Sequence, residues 1–577
     1  VSIANPHARV VRCRDLLWLA AGLDEADEER LRDQGGGAGG DEGGVEAQLC
    51  RERGDACIIR LELADERVTR VAAWRGITAG YDLFYHSAGD GRVVLSDHFR
   101  NILSALPVSE RASGVEALCD HFLFRTMIGG NTYCQAVKRL GRGERLDLDG
   151  REPGVRIERF DRAGGTPRAG SIENYLDRLD EALGSVLARQ GREPRVAALF
   201  SGGIDSTLIH TYLPPTVPAL YHELPSHAVG FEAGYAQRAA DLLKIPLERQ
   251  SLAQCDFMAL LESAVDATAL PPPHLQYLLF QEPLALGYDW MITGERADAL
   301  FGLELRRAVL AAPFASAAGN RALMLAERLL PRRAKRLGRI REAAGGLRGA
   351  VESLDGFGAQ FGVSPQRSRI EEVFGSDLVR RRLQARIDLV KEIAPGSVPG
   401  SVSGKGAGSR FHQHLNLGQM IDYFCEDMLS SLRHLGHAYG TSFASPFCAR
   451  PVLDAALSIP PEQRYVKGLE TKYLLKRLLQ RRLPAYPVYQ RKGYGGLQFP
   501  DLYPNGPLAD VWERYPVPEA FATEQHRALL ESPSQATWNV IALAVWQQRI
   551  QRNPDLEAVP GSRRFEWQLE QALSAAT

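Results

Sequence analysis

Long apolar runs are missing from this chain. No stretch approaches the roughly 18 residues that a membrane-spanning helix needs, so no membrane partner is expected. Net charge is missing too: 69 Lys and Arg stand against 70 Asp and Glu. That balance leaves no electrostatic footprint for nucleic acid. Cysteine is sparse, eight in 577 residues, at positions 13, 50, 57, 119, 134, 255, 425 and 448, with no C-x-x-C pair. This argues against a disulfide scaffold or a zinc site and for reduced thiols in a cytoplasm. Neither a Walker A loop nor an H-E-x-x-H helix occurs. His412 with His414, and His434 with His437, have no third ligand at useful spacing, which disfavours a metal there. Arg9, Arg12 and Arg14 before the apolar Leu16 to Gly22 imitate a signal peptide. Asp15 interrupts the imitation and Asp24, Glu25 and Asp27 follow, so a strand in a globular domain is expected.

What is present is an ordinary globular composition, 45% apolar and 24% charged, enough to bury a sizeable core. The chain is organised around Ala197-Ala198-Leu199-Phe200-Ser201-Gly202-Gly203-Ile204-Asp205-Ser206. Val196 to Phe200 reads as a strand buried on both faces, and Asp205 to His210 as the start of a helix. The two glycines between them permit a backbone that turns several N–H groups toward one anion. Asp205 stands beside that anion, where its natural partner is a divalent cation such as Mg²⁺.

Residues 1 to about 160 carry short alternating runs, Cys57 to Leu63, Arg67 to Trp74, Asp82 to His86 and Arg92 to Leu95, which predict a β-rich domain. Gly35 to Gly44 has nothing to pack, and residues 161–170 read as a linker. Ser171 then reads as a helix cap, with an apolar stripe from Ile172 to Leu187. Strands over Pro218 to Glu223 and Leu247 to Leu252, with a helix over Tyr235 to Lys244 between them, predict a parallel sheet. Tyr288 to Gly302 repeats the strand-then-glycine pattern, bringing Gly294, Glu295 and Asp298 beside the first loop, with Asp298 a second metal carboxylate and Glu295 a candidate base. Past Gly302 the patterns turn helical. The basic run over 331–341 reads as a solvated helix face, and 394–409 as a disordered loop or, less readily, a lid.

Ser201-Gly202-Gly203-Ile204-Asp205-Ser206 matches the signature of the PP-loop ATP pyrophosphatases. With Thr293-Gly294-Glu295-Arg296-Ala297-Asp298-Ala299-Leu300-Phe301-Gly302 it resembles the asparagine synthetase B family, although Ala299 departs from that family's second acid. Gly440 to Phe447 is similar to the family's Gly-x-Glu-x-Arg-x-Pro-Phe, with Ser442 for the glutamate and Ala444 for the arginine. Lys472 and Lys492, the latter in Arg491-Lys492-Gly493-Tyr494-Gly495 after Leu483-Pro484, resemble lysines that stand near the phosphates and over the reacting carbonyl.

The resemblance implies an α/β fold. A degenerate glutaminase-like β-rich domain would cover 1–165, and a PP-loop parallel-sheet synthetase domain with a helical C-terminal part 171–577. Gly54 to Cys57 and Val94 to Leu103 carry the first likeness, yet residue 1 is Val and the first cysteine is Cys13, so no glutaminase activity is expected. Asp120 to Thr126, Thr132 to Cys134 and Arg139 to Leu146 look most like lasso-peptide cyclases. β-Lactam synthetases have a tyrosine where Glu295 stands.

The resemblance therefore implies macrolactam formation with ATP and Mg²⁺. Ser201, Gly202, Gly203, Asp205, Ser206 and Gly294 would bind nucleotide, Asp205 and Asp298 metal, and Lys492, Glu295 and Lys472 would be catalytic. A lasso precursor core peptide, a leader peptidase and a leader-recognition protein are the implied partners. An ammonia-dependent asparagine synthetase, a β-lactam synthetase-like ligase and a non-catalytic peptide-binding scaffold remain as alternatives.

Overall fold

Strands Leu16–Ala21, Cys57–Ala64 and Arg67–Arg75 carry apolar residues at successive positions, so both faces of their sheet must be covered. In the computed structural model they are the centre of a six-stranded antiparallel sheet, ordered Arg156–Arg159, Glu144–Asp149, Arg67–Arg75, Cys57–Ala64, Leu16–Ala21, Arg9–Cys13. The structure describes all residues except 35–43, 65–66, 79, 89–91, 150–153, 165–166, 169, 224–229, 252–255, 303–316, 331–336, 338–366, 398–406, 426–427, 468–469, 490–498, 523–529, 531–532 and 565–577. One face of the sheet, through Leu19, Ile59, Leu61 and Ala73, packs on Leu95 of a second sheet and on Leu83, which leads into it. The other, through Trp18, Ile58 and Trp74, packs on helices Glu25–Gln34 and Val45–Arg53. The second sheet is ordered Arg563–Arg564, Ser2–Ile3, Val93–Ser96, Phe84–Ser87, Lys138–Arg139, so its outermost strand comes from the far end of the chain. The apolar stretch that imitates a signal peptide is thus a central strand. Among the described residues, no helix is long and apolar enough to cross a membrane.

Helix Ile172–Gln190 begins where Ser171 Oγ accepts from the Asn174 N–H at 3.2 Å, the cap the sequence predicts. It covers a five-stranded parallel sheet ordered Leu247–Ser251, Ala219–Glu223, Val196–Leu199, Trp290–Ile292, Ser442–Ala444. The helix expected over Tyr235 to Lys244 runs from Gly230 to Leu243, five residues earlier at its start. The described remainder after Gly302 is largely helical, including Ser376–Ile393, Ala407–Cys425, Met428–Ala438 and Tyr473–Arg482.

The segment read as a linker is tied down: the Ala163 N–H donates to the Ile393 carbonyl at 2.7 Å and that of Arg168 to Ser458 at 2.9 Å. Of the expected loop over 394–409, Pro395–Ser397 is a 3₁₀ turn and 407–409 open a helix; 398–406 lie outside the described residues. The basic run and Gly35 to Gly43 also fall almost wholly outside them. Between the N-terminal sheets and the rest, three arginines meet three aspartates. Arg382 grips Asp120 with two bonds of 2.7 and 2.6 Å, and Arg450 grips Asp161 at 2.8 and 3.1 Å. Arg433 reaches Asp55 at 3.3 Å while lying over the Tyr81 ring. His434 faces Asp82 at 3.0 Å, and no described group of three or more His, Cys, Asp or Glu is arranged to hold a metal.

Candidate active site

The chain passes outward from Val196–Leu199 to Ala219–Glu223 and Leu247–Ser251. It then returns to lay Trp290–Ile292 on the opposite side. Strand order reverses between Val196–Leu199 and Trp290–Ile292, and parallel sheets of this kind open a binding crevice at the carboxyl ends there. Both glycine-bearing loops enter that crevice, which the register brings together through Ala198 opposite Ile292.

In the first loop the Ser201 N–H donates to Ser206 Oγ and the Gly203 N–H to Ser201 Oγ, each at 3.3 Å. Gly202 has φ +66°, and a Cβ there would stand 2.6 Å from the backbone Cα of Ala236, so only glycine fits. Tyr486 Oη donates to the Gly202 carbonyl at 2.5 Å and holds the turn from the far side. Ser201 stays exposed at the crevice while Ser206 is buried behind it.

The second loop comes so close that a Cβ on Gly294 would lie 3.3 Å from Cβ of Asp205. Asp298, on the short helix Ala297–Phe301, thereby shares a cation with Asp205. That cation is Lys472, only 4% exposed, whose ammonium donates to Asp205 Oδ2 at 2.6 Å and pairs with Asp298. Burial pulls its pKa down, but the two carboxylates outweigh burial and raise it above the ordinary lysine value. Lys472 also sits at φ +54°, a left-handed conformation that lysine rarely adopts.

Glu295 is half-buried, and its carbonyl accepts from Ser445 Oγ at 2.7 Å. Arg296 follows at φ +73° and donates to the Asp422 carbonyl at 3.0 Å, fixing the turn between the two acids. Ser201, Gly202, Gly203, Asp205, Ser206, Gly294, Glu295, Asp298 and Lys472 are therefore brought to one crevice. Lys492 lies outside the described residues. Sequence reasoning missed Tyr486, Ser445 and the Arg296 anchor. Arg296 and Ser445 lie inside the segments Thr293 to Gly302 and Gly440 to Phe447 that were singled out for other residues, and Tyr486 stands two residues after Leu483-Pro484.

Two carboxylates with phosphate oxygens and water are a donor set that suits Mg²⁺, which is usually held by one or two protein acids plus substrate phosphates. Asp205 and Asp298 fit that role, and the exposed Ser201 with the glycine turn suits phosphate. Strand Ser442–Ala444 lies beside Trp290–Ile292, with Ala444 opposite Ile292. Ser442 is fully buried, its Oγ 3.2 Å from Tyr81 Oη, and Ala444 is buried too.

The sequence profile of the family described as asparagine synthase matches residues 177–548, more than half of the chain. No curated protein matches it. The matched span takes in both glycine-bearing loops, the acidic pair and Lys472. The chain belongs to the asparagine synthase family, ATP-dependent ligases that form amide bonds.

Proposed function

We propose that this ligase closes a macrolactam ring in a lasso-peptide precursor. ATP activates an Asp or Glu side chain of the core peptide as its adenylate, releasing pyrophosphate. The free N-terminal amine of the same peptide then attacks, forming the amide and releasing AMP. The observation that carries this reading is the strand Ser442–Ala444. A free amino acid presents charged ends that need charged partners, and here the two positions that align with a glutamate and an arginine are a buried serine and alanine. Uncharged side chains at these two positions suit an acyl group embedded in a peptide.

Asp205 and Asp298 would hold Mg²⁺, Ser201 to Ser206 with Gly294 the nucleotide, and Glu295 would take the proton of the attacking amine. Lys472 would face the phosphates and Lys492 the reacting carbonyl. A leader peptidase and a leader-recognition protein would supply the substrate in a cytoplasm. The N-terminal sheets would form a glutaminase-like domain without glutaminase chemistry.

The test is mass spectrometry of the candidate peptide after incubation with enzyme, ATP and the processing partners. A product lighter than the core peptide by one water, with equimolar AMP, is expected. Conversion of free aspartate and ammonia to asparagine, with no peptide product, would favour the asparagine synthetase reading instead.

A further inference from the structure

The ammonium of Lys472 stands where a metal ion shared by Asp205 and Asp298 would stand, 2.6 Å from one carboxylate and in contact with the other. We infer that Lys472 makes this acidic pair refuse a bare divalent cation and accept one only together with a polyphosphate. The inference rests on the reading that the pair carries the metal.

Three observations support it. First, Lys472 is not a surface side chain that wandered in. It is buried, and it precedes helix Tyr473–Arg482, whose Leu474, Leu475 and Leu478 are fully buried and which packs against the phosphate-loop helix Ile204–His210. Its left-handed backbone is a strained conformation that the surrounding packing maintains. Second, charge: two carboxylates and one ammonium leave a single net negative charge, too little to strip a divalent ion of its water. Third, space: Mg²⁺ needs carboxylate oxygens at about 2.1 Å, and the ammonium already occupies the point between them. A triphosphate changes both conditions. It adds oxygens for the metal and offers the ammonium an anion to turn toward, so metal and lysine can separate without either losing its partners. Metal loading then requires nucleotide, and the acids are never left uncompensated.

The experiment uses the full chain with Mn²⁺ as the probe in equilibrium dialysis, the excess Mn²⁺ on the protein side being read with and without α,β-methylene-ATP on both sides. Wild type is expected to take up no Mn²⁺ at submillimolar concentration alone and about one with the analogue. Lys472→Met is expected to bind Mn²⁺ without nucleotide, roughly tenfold or more tightly than wild type, because a repelling charge has gone. Adding Asp298→Asn to that variant should abolish the new binding. Uptake of Mn²⁺ by wild type alone, as tight as with the analogue, would overturn the inference and leave the metal reading intact. That arm needs no variant, so it decides even if Lys472→Met fails to fold. No uptake with the analogue in either protein would overturn the metal reading itself, and this inference with it.

Discussion

Replacing Gly202 with alanine tests whether the first glycine-bearing loop is held by geometry or merely by composition. At φ +66° an L-residue pays roughly 1–2 kcal/mol for the left-handed backbone. The new methyl would meet the Cα and N of Ala236 at 2.6 Å and the carbonyl carbon of Tyr235 at 2.7 Å. All three are backbone atoms of helix Gly230–Leu243, so the overlap is relieved only by moving that helix, at about 1–3 kcal/mol. Against this, alanine narrows the unfolded ensemble by about 0.4–1 kcal/mol. The net expectation is a loss of roughly 1–5 kcal/mol in urea unfolding followed by circular dichroism. Gly203→Ala is the internal control. Its φ of −78° and ψ of 174° suit any residue, and its methyl would meet only the Ser201 hydroxyl, at 3.1 Å. That variant should unfold within about 1 kcal/mol of wild type, yet it should lose ATP–pyrophosphate exchange because the displaced hydroxyl accepts the Gly203 N–H. Equal stability losses in the two variants, or none at Gly202, would refute the argument.

Asp205→Asn and Asp298→Asn should each abolish ATP–pyrophosphate exchange and leave the circular dichroism spectrum unchanged, since both carboxylates reach into the crevice; near-normal exchange in either removes that residue from the site. Lys492→Ala should slow ring closure about 100- to 1000-fold while slowing pyrophosphate release less, and equal losses in both steps would confine Lys492 to nucleotide binding. Glutamine should be neither hydrolysed nor required, and Cys13→Ser should leave cyclisation intact: Cys57 is buried with its thiol pushed up to about 12 by burial, so release of glutamate by purified enzyme would contradict the reading. His121, His210 and His222 are each pushed down to about 4, chiefly by burial, against about 6.5 in the unfolded chain. Their contribution to stability is complete above 6.5 and lost as pH falls toward 4, at up to about 1.4 kcal/mol per pH unit each; His274, pushed down to about 3 by burial, adds to the loss, while Asp120, raised to about 6 by burial, and Asp55 and Asp97, raised by the same cause, oppose it. Urea midpoints should therefore drop between pH 6.5 and 5, and a flat profile would refute this.

The local half of the structure was legible because it is written locally. Val196 to Leu199 followed by two glycines is a strand-to-turn signal within ten residues, and Ser171 with the stripe behind it announces its own helix. What crosses long distances was not legible. Strand Ser442–Ala444 is three residues long and joins the sheet only because Trp290–Ile292 offers an open edge 152 residues earlier. Strand Arg563–Arg564 has no alternation at all to betray it. Lys472 was read as a lysine near phosphates, but its contact with Asp205 spans 267 residues and depends on how helix Tyr473–Arg482 packs. The linker over 161–170 looked loose because Gly and Pro suggest looseness; its anchors are carbonyls of distant segments, which no composition reveals.

The three arginine–aspartate grips across the N-terminal sheets also have a consequence for synthesis. Asp55, Asp120 and Asp161 leave the ribosome well before Arg382, Arg433 and Arg450, with 262 residues between Asp120 and Arg382. Until those arginines arrive, the aspartates must stay hydrated, because a buried carboxylate without a partner is strongly unfavourable. The N-terminal sheets can therefore form early, but their seam with the rest of the molecule closes late. Ser2–Ile3 waits longer still, for Arg563–Arg564. During that interval the nascent chain exposes three hydrated carboxylates and one unfinished sheet edge, and these are the places a ribosome-associated chaperone would need to guard.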